Sequence, residues 1–236
     1  MKVLVIPDVH LKPHMFQQAA ALLDKGIADQ AVCLMDIADD WGKESDLVSY
    51  ERAYDEAIRF AMQFPKTLWC YGNHDLSYLW HRDESGYSFR ASLTVQRKLL
   101  DLRAAVPDEQ KAYVHRIDNV LFSHGGLAKM FVEEYVPKSK YNNVDVVLET
   151  VNNLGVNEMW HNLSPIWFRP QDSKLSLYKP RKLLQVVGHT PMKKITRSGN
   201  CISTDVFSTY RDGRPIGTEE FLVLDTETWE YFGVKG

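Results

Sequence analysis

Three scarcities limit what this chain can be, and the first is cysteine. It has only three, Cys33, Cys70 and Cys201, an odd number that lie far apart in apolar stretches. This usage argues against a disulfide framework and predicts buried thiols. It favours a reducing compartment, and we expect a cytoplasmic protein.

Positive charge is also scarce. The 28 Lys and Arg residues are outnumbered by 31 Asp and Glu residues, which leaves a net charge of −3. No overall positive field attracts a nucleic-acid backbone, so duplex binding loses support as the main task. We expect no strong nucleic-acid partner.

Long apolar runs, internal repeats and low-complexity tracts are missing as well. The first apolar run, Val3 to Ile6, is too short for a signal-peptide core or a membrane span, so we expect neither export nor membrane anchoring. With 236 residues, 44% of them hydrophobic, the chain can bury one sizeable core. No clear linker divides it, which predicts a single domain.

The pattern of apolar residues predicts an α/β protein. Residues 2–6 form a continuous apolar run with β-branched side chains, typical of a strand buried on both faces of a parallel sheet. Helices gather early and short strands late, which predicts two stacked sheets with helices outside. The predicted strands are residues 2–6, 31–35, 67–71, 112–117, 120–123, 183–187, 201–206, 221–224 and 229–234. The predicted helices are residues 15–25, 47–62, 127–136 and 144–154, with a further helical region on Phe89, Leu93, Leu99 and Leu102. We expect Trp69 and Phe89 in the core.

Five short polar motifs each follow a predicted strand. They are Asp8-Val9-His10, Asp36-Ile37-Ala38-Asp39, Gly72-Asn73-His74-Asp75, Ser123-His124-Gly125-Gly126 and Gly188-His189-Thr190-Pro191. One such motif alone is incidental, because Asp and His commonly occupy strand-end turns. Five at the same structural position predict a site, since ligands of α/β sheets bind at the carboxyl ends of strands.

The side chains of these motifs indicate divalent metals. Carboxylates, imidazoles and an amide oxygen, without a thiolate, suit Mn, Fe or Zn. A carboxylate such as Asp36 can bridge two ions, and two ions about 3.5–4 Å apart clamp a phosphoryl group and lower the pKa of a bridging water. No convincing Ser-His-Asp or Cys-His pattern is present. The sequence therefore predicts a two-metal phosphohydrolase.

The order, spacing and residues of the five motifs, from Asp8 to Pro191, resemble those of the calcineurin-like metallophosphoesterase superfamily. This resemblance implies a four-layer αββα sandwich with two stacked mixed sheets. It also implies one such domain over residues 1–236, with helical excursions near the active site at about 77–110 and 127–182. The implied cofactor is two divalent ions, with Mn²⁺ preferred and Fe or Zn as alternatives.

The resemblance assigns roles residue by residue. Asp36 bridges the metals, and His74 is the general acid that protonates the leaving alkoxide. Asp39 is the carboxylate that orients the His74 imidazole. A paired carboxylate holds an imidazole in one tautomer and raises its pKa. The implied ligands are Asp8 and His10 for the first metal, Asp36 for both, and Asn73, His124 and His189 for the second.

Three positions indicate which branch of the superfamily the chain resembles. Pro191 stands where many phosphodiesterase branches carry a second His, which favours the Ser/Thr protein phosphatase and diadenosine tetraphosphatase branch. Met35 stands where a Gly usually precedes the bridging Asp. Asp40 stands where protein phosphatases usually place a phosphate-binding Arg, which weakens the case for a phosphoprotein substrate. We expect Arg169 to replace that Arg, with Arg82 as second candidate.

Three functions stay open. The first is hydrolysis of phosphate monoesters or nucleoside polyphosphates, on a phosphorylated small molecule, nucleotide or phosphoprotein. The second is a phosphodiesterase or nuclease acting on nucleic acid or cyclic nucleotides, and the third is a non-catalytic scaffold. Tyr78, Trp80 and Trp167 either stack on a nucleobase or pack internally, and the oligomeric state stays open.

Overall fold

The computed structural model describes all residues, 1–236, and contains eleven strands and seven α-helices. The strands are β1 (Lys2–Ile6), β2 (Gln30–Cys33), β3 (Leu68–Cys70), β4 (Lys111–Ala112), β5 (Val114–Ile117), β6 (Val120–Ser123), β7 (Leu184–Val187), β8 (Thr196–Ser198), β9 (Cys201–Ser203), β10 (Phe221–Asp225) and β11 (Tyr231–Val234). The helices are α1 (His14–Asp24), α2 (Leu47–Gln63), α3 (Asn73–Trp80), α4 (Ser92–Ala105), α5 (Lys129–Tyr135), α6 (Val144–Asn152) and α7 (Val156–Met159). No helix is both long and apolar enough to cross a membrane.

The strands form two mixed sheets. The first has six strands in the order β11-β10-β1-β2-β3-β4, with β1 to β4 parallel and β10 and β11 antiparallel. The second has five strands in the order β5-β6-β7-β9-β8, with a parallel centre of β6, β7 and β9. The parallel centres explain the continuous apolar runs in the sequence.

Three apolar clusters define the layers. One joins the inner faces of both sheets, for example Val5 of β1 and Phe122 of β6. A second packs α1, α2 and α4 on the outer face of the first sheet, and a third packs α5 to α7 on that of the second. The order helix, sheet, sheet, helix confirms the predicted αββα sandwich. Residues 77–110 contain α4, and residues 127–182 contain α5 to α7.

Two local predictions were wrong. Residues 112–117 are not one strand, because the chain passes from the first sheet at Ala112 to the second at Val114. Phe89 is not in the core: it lies before α4 and is 76% exposed, and Leu93 is 81% exposed. The buried face of α4 includes Val95, whose branched side chain belongs to the same stripe as Leu99 and Leu102.

Candidate active site at the sheet edge

The six predicted metal ligands converge where the carboxyl ends of both sheets meet. They follow five different strands: Asp8 and His10 follow β1, Asp36 follows β2, Asn73 follows β3, His124 follows β6 and His189 follows β7. Two subsets have ligand atoms within 4.8 Å of one another, Asp36 with His124 and His189, and Asp36 with Asp8 and His10. Asp36 belongs to both subsets, so its carboxylate lies between them.

His124 organises the second subset. Its Nδ1 donates to the carbonyl of Leu34 at 3.0 Å, which leaves Nε2 turned toward the site. From that Nε2, Asn73 Oδ1 is 2.9 Å away, His189 Nδ1 is 3.0 Å and Asp36 Oδ2 is 3.1 Å. Four potential ligand atoms thus face one another in the buried interior.

The first subset is oriented in the same way. His10 Nδ1 lies 2.9 Å from the carbonyl oxygen of Asp39 and donates to it, so its Nε2 carries the lone pair. Asp8 Oδ1 accepts the amide of His189 at 2.8 Å, which ties the two sheets together. A Cβ on Gly188 would overlap Asp8 Oδ2, so glycine is required for this close approach.

The backbone is strained around Asp36. Met35, Asp36 and Asp39 have φ of +60°, +45° and +64°, a left-handed region that non-glycine residues seldom adopt. Gly at position 35 would carry no such penalty, so Met35 departs from the family pattern at an energetic cost. The buried Met35 side chain, 2% exposed, offsets part of that cost by packing in the core.

Burial and neighbouring charges shift the pKa values of the proposed ligands in different directions. Burial favours the neutral forms of His10 and His189 and lowers both pKa values. Burial also opposes charge on His124, but the carboxylates of Asp36 and Asp8 outweigh it and raise its pKa to about 9. Burial and the neighbouring Asp205 raise the pKa of Asp8.

The residues fit a pair of divalent ions. Asp8 Oδ2 and His189 Nε2 are buried with no hydrogen-bond partner, although such groups are normally paired in protein interiors. The oxygen and imidazole donors suit Mn, Fe or Zn, and none of the three free cysteines is among them.

Metal uptake should release protons. A ligating imidazole must be neutral, and the pKa of His124 near 9 means that it holds a proton at neutral pH. Each proton displaced makes affinity rise about tenfold per pH unit below that pKa. Calorimetric titration with Mn²⁺ at pH 6, 7 and 8 should show this rise, and a flat affinity over that range would contradict it.

His74 and Asp39 form a second constellation beside the ligands. His74 Nδ1 lies 2.9 Å from Asp39 Oδ2, and the other oxygen, Oδ1, accepts the hydroxyls of Tyr50 at 2.8 Å and Tyr78 at 2.5 Å. Burial opposes charge on His74, but Asp36, Asp39 and Glu84 outweigh it and raise its pKa to about 10. A pKa in this range favours the protonated form of His74 at neutral pH.

Sequence reasoning missed several supporting residues. Asp75 is fully buried, and its carboxylate accepts the amide of Ile37 at 3.2 Å and the hydroxyl of Tyr54 at 2.5 Å. It thereby fixes the turn that carries Asp36. Asp205, after β9, is 1% exposed and also lines the site. The predicted strand at residues 201–206 hid Asp205, because the observed strand ends at Ser203 and leaves Asp205 just beyond its tip.

The two candidate arginines lie in different places. A cavity of about 360 Å³ opens over the ligands, and Arg169 lines it together with His10, Asp36 and His74. Arg169 Nη1 donates to the carbonyl of His189. Arg82 does not line the cavity: it is exposed, and its Nη2 donates to Asn157 at 3.3 Å.

The aromatic candidates do not line the cavity either. Tyr78 is fully buried under Asp39, which rules out stacking on a substrate. Trp80 and Trp167 both pack against Trp160. The aromatic residues that do line the cavity are Trp41 and Tyr210, which are 44% and 47% exposed.

Comparison with known proteins agrees with this geometry. Residues 1–214 match the family model described as calcineurin-like phosphoesterase. No curated protein matches the chain in sequence.

Similar solved structures extend the comparison to the fold. A cold-active protein-tyrosine phosphatase of a psychrophilic Shewanella species has a TM-score of 0.58 at 18% identity, covering 98% of this chain and 80% of its own. A Thermus thermophilus protein has a TM-score of 0.52 at 11% identity, covering 99% and 98%. A hypothetical Pyrococcus horikoshii protein has a TM-score of 0.51 at 13% identity, covering 99% and 87%. At these identities the likeness shows the shared fold.

Proposed function

Because the chain belongs to the calcineurin-like phosphoesterase family, we propose that it is a dinuclear metal-dependent phosphohydrolase that cleaves phosphate monoesters or nucleoside polyphosphates. The observation that carries this proposal is the meeting of two ligand subsets at Asp36, with the His74–Asp39 pair beside them. A scaffold that had lost catalysis would not need both constellations.

The proposed ligands are those that converge at the sheet edge. Asp8 and His10 hold the first ion, Asp36 bridges, and Asn73, His124 and His189 hold the second. When bound, the two ions clamp the phosphoryl group and lower the pKa of the attacking water. Mn²⁺ is our first choice, with Fe or Zn as alternatives, because the donors are oxygen and nitrogen atoms.

His74 supplies the proton in the proposed reaction. Its Nδ1 is engaged by Asp39, so Nε2 is the nitrogen that can donate to the leaving oxygen. Tyr50 and Tyr78 hold the Asp39 carboxylate from the other side, which keeps the imidazole in a single orientation. Asp39 thus positions the proposed acid while its own carboxylate is held by two tyrosine hydroxyls.

Arg169 is the proposed phosphate-binding residue. Replacing it with Ala should raise KM about tenfold or more, since a charge-assisted hydrogen bond to phosphate contributes roughly 1.5–3 kcal/mol. Bound metal should not change. Steady-state kinetics of the Arg169→Ala and Arg82→Ala variants compare their KM values. A KM increase in the Arg82 variant alone would assign phosphate binding to Arg82.

Two observations favour a nucleotide over a phosphopeptide as substrate. Asp40 at the cavity wall is paired with Lys12 at 3.2 Å, so this position offers no cation to a phosphoprotein. Trp41 and Tyr210 present half-exposed rings beside it, and aromatic rings can stack on a base.

The three unpaired cysteines support a cytoplasmic location.

A substrate panel tests the proposal. Mn²⁺-loaded protein is assayed with p-nitrophenyl phosphate, bis-p-nitrophenyl phosphate, diadenosine tetraphosphate and a phosphopeptide. Faster turnover of the monoester or the tetraphosphate supports the proposal, and faster turnover of the diester identifies a phosphodiesterase. No hydrolysis of any of the four by metal-loaded protein would support the scaffold.

A further inference from the structure

One buried carboxylate near the site belongs to none of the five motifs. Glu84 lies between α3 and α4, in a segment whose neighbours Arg82, Asp83 and Ser85 are exposed. Its own side chain is only 6% exposed. Burying a carboxylate costs free energy unless partners compensate it, so its contacts identify its task.

The two carboxylate oxygens of Glu84 have different surroundings. Oε2 accepts the Nδ2 amide of Asn73 at 2.5 Å. Oε1 is buried with no hydrogen-bond partner and lies 3.5 Å from His74 Nδ1, which is already bonded to Asp39. Asn73 is thus the hydrogen-bond partner of Glu84, while His74 lies at ion-pair distance on its other side.

This contact determines which end of the Asn73 amide faces the metals. Only the amide nitrogen can donate to Glu84, so Oδ1 must point the opposite way, toward His124 Nε2 at 2.9 Å. An amide oxygen can ligate a divalent ion, whereas the NH₂ group cannot. Without Glu84, the amide could turn over and present Nδ2 to the second ion.

We propose that Glu84 is a positioning residue that fixes the Asn73 amide with its oxygen toward the second metal. The inference rests on the proposed function, because it assumes that Asn73 is a ligand. It concerns metal affinity rather than turnover, so it can be tested by binding alone.

The test is Mn²⁺ titration of the full chain, with calorimetry and electron paramagnetic resonance used to count ions. Glu84→Ala should weaken the second ion about 10–100-fold, the range observed when a partner of a metal ligand is removed. Glu84→Gln keeps an acceptor for Asn73 and should restore affinity to within a few-fold of wild type. Asp83→Ala removes a neighbouring exposed acid and should bind Mn²⁺ as wild type does.

A double mutant separates positioning from a structural role. If Glu84 acts through Asn73, adding Glu84→Ala to Asn73→Ala should cause no further loss of affinity. Additive losses, or an Ala variant that binds two ions as tightly as wild type, would overturn the proposal while leaving the hydrolase assignment intact. A wild-type chain that binds no Mn²⁺, Fe or Zn would overturn both.

Discussion

Replacing Asp36 with Asn is expected to lower bound Mn²⁺ from about two ions per chain to fewer than one, and to reduce phosphate release by more than ~100-fold. Asp36 is the residue shared by both ligand subsets. An amide has one oxygen and no charge, so it cannot give an anionic oxygen to each of two ions. The Asp36 variant should therefore lose more Mn²⁺ binding and activity than a variant that lacks only a residue supporting a ligand.

The fold should survive this substitution, which makes the result interpretable. Asp36 Oδ1 accepts the amide of His74 at 3.0 Å, and the Asn oxygen can accept it equally. Metal analysis of the purified variant, with thermal unfolding as a check, measures the effect. Asp24→Asn, an exposed carboxylate at the end of α1, is the matched control. Two tightly bound ions in the Asp36 variant would refute its bridging role.

His74→Asn should give the second large effect, a fall in kcat of about 10²–10⁴-fold with both ions retained. The imidazole is held by Asp39 rather than placed among the ligand subsets, so its removal takes away the proton donor alone. The loss should depend on the substrate. p-Nitrophenolate departs readily without a proton, whereas an alkoxide does not, so an alkyl phosphate should be affected more.

A neighbouring histidine provides the control for this variant. His81 is exposed and has φ of +51°, a conformation that Asn tolerates well. His81→Asn should leave kcat unchanged on both substrates. Equal losses on the aryl and alkyl phosphates in the His74 variant would contradict a general-acid role, as would loss of metal.

The sequence predicts where the proposed ligands lie because one rule applies to each of them. Asp8, Asp36, Asn73, His124 and His189 each follow an apolar strand, and parallel strands bring their carboxyl ends to one edge. Strand direction brings them together within each sheet, and the stacking of the two sheets brings the two groups to one edge. The sequence does not predict the tautomers of His10 and His124. These depend on the carbonyls of Asp39 and Leu34, which accept from the Nδ1 atoms and lie far away along the chain.

The residues that support the site are not predictable in this way. Tyr50 and Tyr78 occupy helical positions whose spacing is equally typical of packing residues, and only the fold shows that both hydroxyls reach Asp39. Glu84 lies in a polar segment that is indistinguishable from a solvated loop. Hydrophobicity predicts Phe89 in the core, yet the chain places it outside α4 and in solvent.

The most direct test of the two-metal site is the anomalous diffraction of Mn²⁺-loaded crystals. We expect two peaks about 3.5–4 Å apart, with Asp36 between them, Asp8 and His10 on one side, and Asn73, His124 and His189 on the other. One peak, or peaks away from Asp36, would contradict the shared-carboxylate site on which the proposed hydrolysis depends.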